Sequence, residues 1–105
     1  MATGNTLSMP SYVSPASGEL AGSITAVQMP NIKCQMVKFK ALAANSSKIY
    51  IGSSGVTVAS TTTNTTAGLE MSPGDDSGWI LVSNLNVLYY ICSNANDLLT
   101  YIILN

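Results

Sequence analysis

Short apolar runs alternate with small polar turns from residue 23 to the end of the chain, and no segment sustains a 3.6-residue period. Residues 23–29 set Ile24, Ala26 and Gln28 on one parity and stop at Pro30-Asn31. Residues 33–42 place Val37 and Phe39 on one face, with Cys34, Met36, Lys38 and Lys40 on the other. That is the pattern of a strand with one wet face. After the turn at Asn45-Ser46-Ser47, residues 48–51 set Ile49 and Ile51 opposite Tyr50, and residues 52–55 turn again. Residues 56–59 open a strand that runs out into residues 60–66, β-branched but wholly polar, which suits an exposed edge or a surface loop. Residues 68–72 put Leu69 and Met71 on one face. At Pro73-Gly74 the proline fits position i+1 of a type II turn and the glycine supplies the positive φ of i+2. Residues 78–83 set Trp79, Leu81 and Ser83 against Ile80 and Val82, and both faces read as buried. Asn84 to Asn86 turns the chain. Residues 87–93 and Leu98–Leu104 are the most apolar runs, and Asn94-Ala95-Asn96-Asp97 between them reads as a hairpin loop.

About eight short strands separated by Gly, Pro and Asn turns predict an all-β fold. The expected architecture is a single antiparallel β-sandwich or jelly-roll-like barrel. Residues 1–22 differ: Gly, Ser, Thr and Pro dominate and no period persists, which predicts an extended or flexible N-terminal arm ahead of a sandwich at 23–105. Leu7, Met9, Tyr12 and Val13 make that arm more adhesive than a linker. The run Leu98–Leu104 is apolar on both parities, so its second face needs a cover from another chain or a place in the middle of the sandwich.

Composition narrows the function. The chain has 105 residues, four lysines and no arginine, five acids, no histidine and a net charge of −1. Charged residues make up 9%, against about a quarter in an average protein. Without histidine there is neither His-based acid–base catalysis nor a His metal site. Four scattered lysines leave no footprint for nucleic acid. Serine and threonine hydroxyls lack a base to activate them, so no enzymatic activity and no cofactor are expected. Glu70, Asp75 and Asp76 flank the Pro73-Gly74 turn, but the spacing of a Ca²⁺ loop is missing and a solvated turn accounts for them. The longest apolar run is too short to span a bilayer, so no membrane contact is expected. No basic stretch followed by an apolar one marks the N-terminus as a secretory leader. The sequons at 45–47 and 64–66 are then accounted for by an Asn/Ser/Thr-rich composition.

Cys34 and Cys92 fit either a disulfide closing a long loop or two buried thiols on separate strands. Tyr89 and Tyr90 are adjacent and must point to opposite faces of their strand, so one of the pair is a candidate for an interface.

From residue 48 to 104 the chain runs K-I-Y-I-G, G-V-T, a Ser/Thr/Asn stretch, G-L-E-M-S-P-G-D-D-S-G-W, V-S-N-L-N-V-L-Y-Y-I and a last strand ending Y-I-I-L. This order of strands and turns resembles small β-sandwich proteins of tailed bacteriophages, the capsid decoration (cement) proteins and other accessory virion proteins. The resemblance implies a structural protein made in the host cytoplasm and carried on the capsid surface of the virion. It implies binding to the major capsid protein and self-association, with a homotrimer favoured over a dimer. On that reading Met9, Tyr12 and Val13 of the arm contact the capsid or a neighbour, and Tyr89 or Tyr90 lines the subunit interface. The alternative is a head- or tail-fibre module that binds a host-surface glycan or receptor, with Trp79 and exposed tyrosines stacking on sugars.

Overall fold

The computed structural model describes residues 15–105. The strands among these residues are β1 (Pro15–Ala21), β2 (Val27–Gln28), β3 (Met36–Ala41), β4 (Ile49–Gly52), β5 (Leu69–Met71), β6 (Asp76–Ile80), β7 (Tyr89–Cys92) and β8 (Leu98–Leu104), with a 3-10 turn at Leu85–Val87. They form two four-stranded antiparallel sheets, ordered β1-β8-β3-β6 and β2-β7-β4-β5. The pairs β1–β8, β2–β7, β3–β6 and β4–β5 each join strands equally far from the two ends of the series. The chain is therefore one long two-stranded ribbon, rolled so that successive pairs fall in opposite sheets. This is the jelly-roll arrangement.

Alternation along the strands builds the core. Val37, Phe39 and Ala41 of β3 and Leu99 and Ile103 of β8 point inward from the first sheet. Ile49 and Ile51 of β4, Met71 of β5, and Tyr90 and Cys92 of β7 meet them from the second. Met29 and Leu85 are buried in the same cluster. The β3–β6 ladder shifts register between Lys38 and Lys40. There the Phe39 N–H donates to the Ser77 hydroxyl at 2.9 Å, so the irregularity leaves no buried donor unpaired.

Several sequence-based boundaries move. Pro15–Ala21, inside the stretch that reads as an arm, is already a strand of the first sheet. Its pattern is weak because β1 buries only Leu20 and is otherwise made of small or exposed residues. What holds it is the unbroken seven-residue pairing with β8. The Tyr101 side chain also lies against Gly18, where a Cβ would come within 2.7 Å of its hydroxyl oxygen. Residues 23–29 contribute only the two-residue β2. Residues 56–59 are not a strand: Val56 is buried, and the following loop is closed by Asn64 Nδ2 donating to the Val58 carbonyl and the Thr57 hydroxyl. The strand expected at 78–83 starts earlier and ends at Ile80, with Trp79 and Leu81 exposed rather than buried.

The type II turn forms as the residue types require: Gly74 has φ +89° and the Asp75 N–H donates to the Ser72 carbonyl at 2.9 Å. The loop at 94–97 is not a hairpin, because β7 and β8 lie in different sheets. It crosses between them and is bolted to the turn at 45–47. Asp97, the one buried charged side chain among the described residues, accepts from the Ser46 N–H at 2.9 Å and the Ser47 N–H at 3.0 Å. Asn45 donates to the Leu98 carbonyl and accepts from the Leu98 N–H.

Cys34 and Cys92 are free buried thiols, and burial pushes both above the ordinary thiol range. Cys34 also donates to the Val82 carbonyl. Both are therefore expected to resist a thiol reagent such as DTNB in the native protein and to react fully once it is unfolded. Rapid native labelling of either would contradict this packing.

Candidate functional site

Residues at alternate positions of the first sheet face away from the core, and the ladders place them in rows. The first row holds Pro15, Leu104 and Met36, and Leu81, one residue past the end of β6 and the Val37–Ile80 pair, continues it. The second runs Ser17, Ile102, Lys38, Trp79. The third runs Glu19, Thr100, Lys40, Asp76. The face is thus graded along the strands, from an apolar end to a charged one. Leu81 is 78% exposed, Trp79 45% and Ile102 40%. The Lys38 ammonium sits 5.7 Å from the Trp79 ring centroid, a cation–π contact at the boundary between the two halves.

The polar half forms a shallow groove of about 640 Å³ lined by Ser17, Glu19, Lys38, Lys40, Asp76 and Thr100, with Ile102 at its apolar side. Two carboxylates and two ammonium groups leave it without net charge. The Thr100 hydroxyl donates to the Lys40 carbonyl at 3.2 Å, and the Asp76 carboxylate accepts from the Gly78 N–H at 2.9 Å.

The residues singled out from sequence fall in different places. Met9, Tyr12 and Val13 lie outside the described residues. Tyr90 points into the core, 5% exposed, and its hydroxyl donates to the Ala21 carbonyl at 2.7 Å. Burial raises its pKa above the ordinary phenol range. It ties β7 to the end of β1 and offers nothing to a partner. Tyr89, on the opposite parity, is half-buried on the outer face of the second sheet beside Gln28 and Gly52. The acids around the Pro73-Gly74 turn are occupied separately. Asp75 accepts from the Ser72 N–H, Asp76 serves Gly78, and Glu70 pairs with Lys48 at 2.9 Å. Among the described residues no group of three or more His, Cys, Asp or Glu could hold a metal ion.

Glu70 also accepts from the Tyr50 hydroxyl. The Lys48 hydrogen bond, foremost, holds its carboxyl below the usual range. Stability from this pair is present above the unfolded-state pKa and is lost as pH falls through the lower folded value. Both side chains are well exposed, so the contribution is small. NMR titration is expected to place the Glu70 carboxyl below that of a free glutamate, and Lys48→Met to move it back up.

The graded face itself was not anticipated. Its signal in the sequence was the parity of Trp79 and Leu81 against Ile80 and Val82, and of Ile102 against Leu99 and Ile103.

No family model, curated protein or solved structure matches this chain.

Proposed function

We propose that this chain is a structural protein of a tailed-phage virion. It acts as a capsid decoration (cement) protein, binding the major capsid protein as a small homo-oligomer and stabilising the head without chemistry. The observation that supports this most is the apolar end of the outer face of the first sheet. Pro15, Met36, Leu81 and Leu104 form one uninterrupted apolar row there, backed by Trp79 and Ile102. A partly exposed aliphatic row, with Leu81 fully outward and an aromatic beside it, is the kind of surface a protein partner covers. The strand and turn order from residue 48 to 104 supplies the choice of partner. By analogy of fold alone, jelly rolls are used by capsid proteins and by lectins.

The test is cryo-electron microscopy of phage shells incubated with the purified protein. Ordered density at capsomer positions is expected, with the apolar row toward the shell. Leu81→Ser together with Trp79→Ala should abolish that density while leaving the fold intact, since both positions are exposed. Shells that remain bare with the unaltered protein would refute the reading.

One observation favours the glycan alternative: the charge-balanced groove of Ser17, Glu19, Lys40, Asp76 and Thr100 beside Trp79, which offers both donors and acceptors to sugar hydroxyls. Binding of the isolated protein to host polysaccharide, lost on Thr100→Val, would favour it over the shell.

A further inference from the structure

The edges of the two sheets are guarded unequally. Edge strand β2 is two residues long and edge strand β5 is three, too short to template another strand. Edge strand β6 carries a register shift in its ladder, a glycine at φ +70° and the charged Asp76, all of which turn an edge away from pairing. β1 is guarded only by Pro15 at its start and by Glu19, and it has neither the shortness nor the irregularity of the other edges. It is seven residues long, pairs with β8 without any shift, and has no strand on its other side among the described residues. Its sequence, PASGELA, holds one charge and otherwise small or apolar side chains. A regular edge with a single charge leaves a row of backbone N–H and C=O groups open to another strand.

We infer that the occupant of this edge is β1 of a second copy of the chain, paired antiparallel about a two-fold axis. Three features point to self-pairing. First, a pair centred on Gly18 sets Ser17 opposite the partner's Glu19, Ala16 opposite the partner's Leu20 and Pro15 opposite the partner's Ala21. The lone carboxylate then meets a hydroxyl rather than another carboxylate, and like charges never stand directly opposed. Second, Gly18 faces Gly18 at the centre, with no side chain between the strands and the Tyr101 ring already lying across that position on the core side. Third, antiparallel pairing within one sheet has its two-fold axis normal to the sheet. The outer faces of both copies therefore point the same way.

That last point bears on attachment to a shell, and here the inference rests on the proposed function. Four strands about 4.8 Å apart and about 20 Å long present a face of about 400 Å². A standard stable interface needs about 800 Å² from each partner. One copy falls short, and two coplanar copies joined through β1 reach it. The two-fold pair replaces the trimer that the resemblance leads one to expect.

The test uses the purified full-length chain without any capsid, by light scattering across the micromolar range. A dimer is expected. Ala16→Lys with Ser17→Lys puts charges on exposed edge positions, a device that natural edges use against pairing, and should weaken the dimer by about tenfold or more. Val87→Lys, exposed but away from the edge, should leave it unchanged. A cooperative melt, at a temperature that depends less on protein concentration than that of the unaltered chain, shows that the variants fold. Hydrogen exchange of the β1 amides should slow as protein concentration rises. A monomer throughout the range, a trimer, or a dimer indifferent to the edge lysines would each overturn the inference. A dimer that pairs through β1 yet leaves shells bare would overturn the attachment and keep the pairing.

Discussion

Asp97→Ala should lower the unfolding free energy by about 3 kcal/mol, measured by urea denaturation, because each buried donor left without an acceptor costs about 1–3 kcal/mol. Two backbone donors, the Ser46 and Ser47 N–H groups, end on its carboxylate, and the Ser46 hydroxyl lies 3.3 Å from the same group. The side chain is 3% exposed, so water cannot readily replace it. Asp97→Asn separates the contributions. It keeps one acceptor oxygen but turns an NH₂ toward the second donor, so it should cost less than alanine yet remain clearly destabilising. If alanine were tolerated within about 0.5 kcal/mol, the range of an ordinary surface substitution, the bolt between the loop at 94–97 and the turn at 45–47 would not bear on stability.

Phe39→Ala should cost more, about 4 kcal/mol, the usual range for emptying an aromatic site in a core. Phe39 is the only phenylalanine of the chain, is fully buried, and stands mid-strand in β3 between β8 and β6. Small domains are stabilised by about 5–15 kcal/mol in total, so this change should bring the protein close to unfolding at room temperature. Phe39→Leu retains most of the volume and should lose about 1–2 kcal/mol. The check is the denaturation midpoint of both variants, together with the dispersion of their NMR spectra. A fully cooperative, native-like midpoint for the alanine variant would mean that the two sheets close over the gap.

The inward parity of Val37 and Phe39, the turn at Pro73-Gly74 and the strand Leu98–Leu104 could be read from residue types, because each depends on a local rule: alternation, a fixed φ, an uninterrupted apolar run. Sheet membership could not. Asn94 to Asp97 has the composition of a turn whether the chain folds back within one sheet or crosses to the other. What decides is Asp97 reaching Ser46 and Ser47, a contact about fifty positions away in sequence. β1 was hidden for a related reason. A strand on a sheet edge, with only Leu20 buried, has no apolar alternation to show. The candidate site was half legible. Tyr89 and Tyr90 were placed on opposite faces, as adjacency demands, and the core took Tyr90. Trp79 and Leu81 read as buried because they are large and apolar. The ladder instead puts them on the outward parity of a sheet with no second layer behind it among the described residues.

The rolled ribbon also bears on how fast the protein reaches this state. Of its strand pairs, β4–β5 joins neighbours in the series across one loop, while β1–β8 joins the first of the described strands to the last. Such a topology has high contact order. It gains little from local contacts before long loops must be closed, and folding in milliseconds to seconds is expected rather than in microseconds. β8 lies between β1 and β3 in its sheet, yet it is the last of the strands to leave the ribosome. Until then the first sheet lacks its middle, and both β1 and β3 hold open edges to any other nascent copy. Synthesis in crowded polysomes is thus the stage at which this chain is most exposed to mispairing.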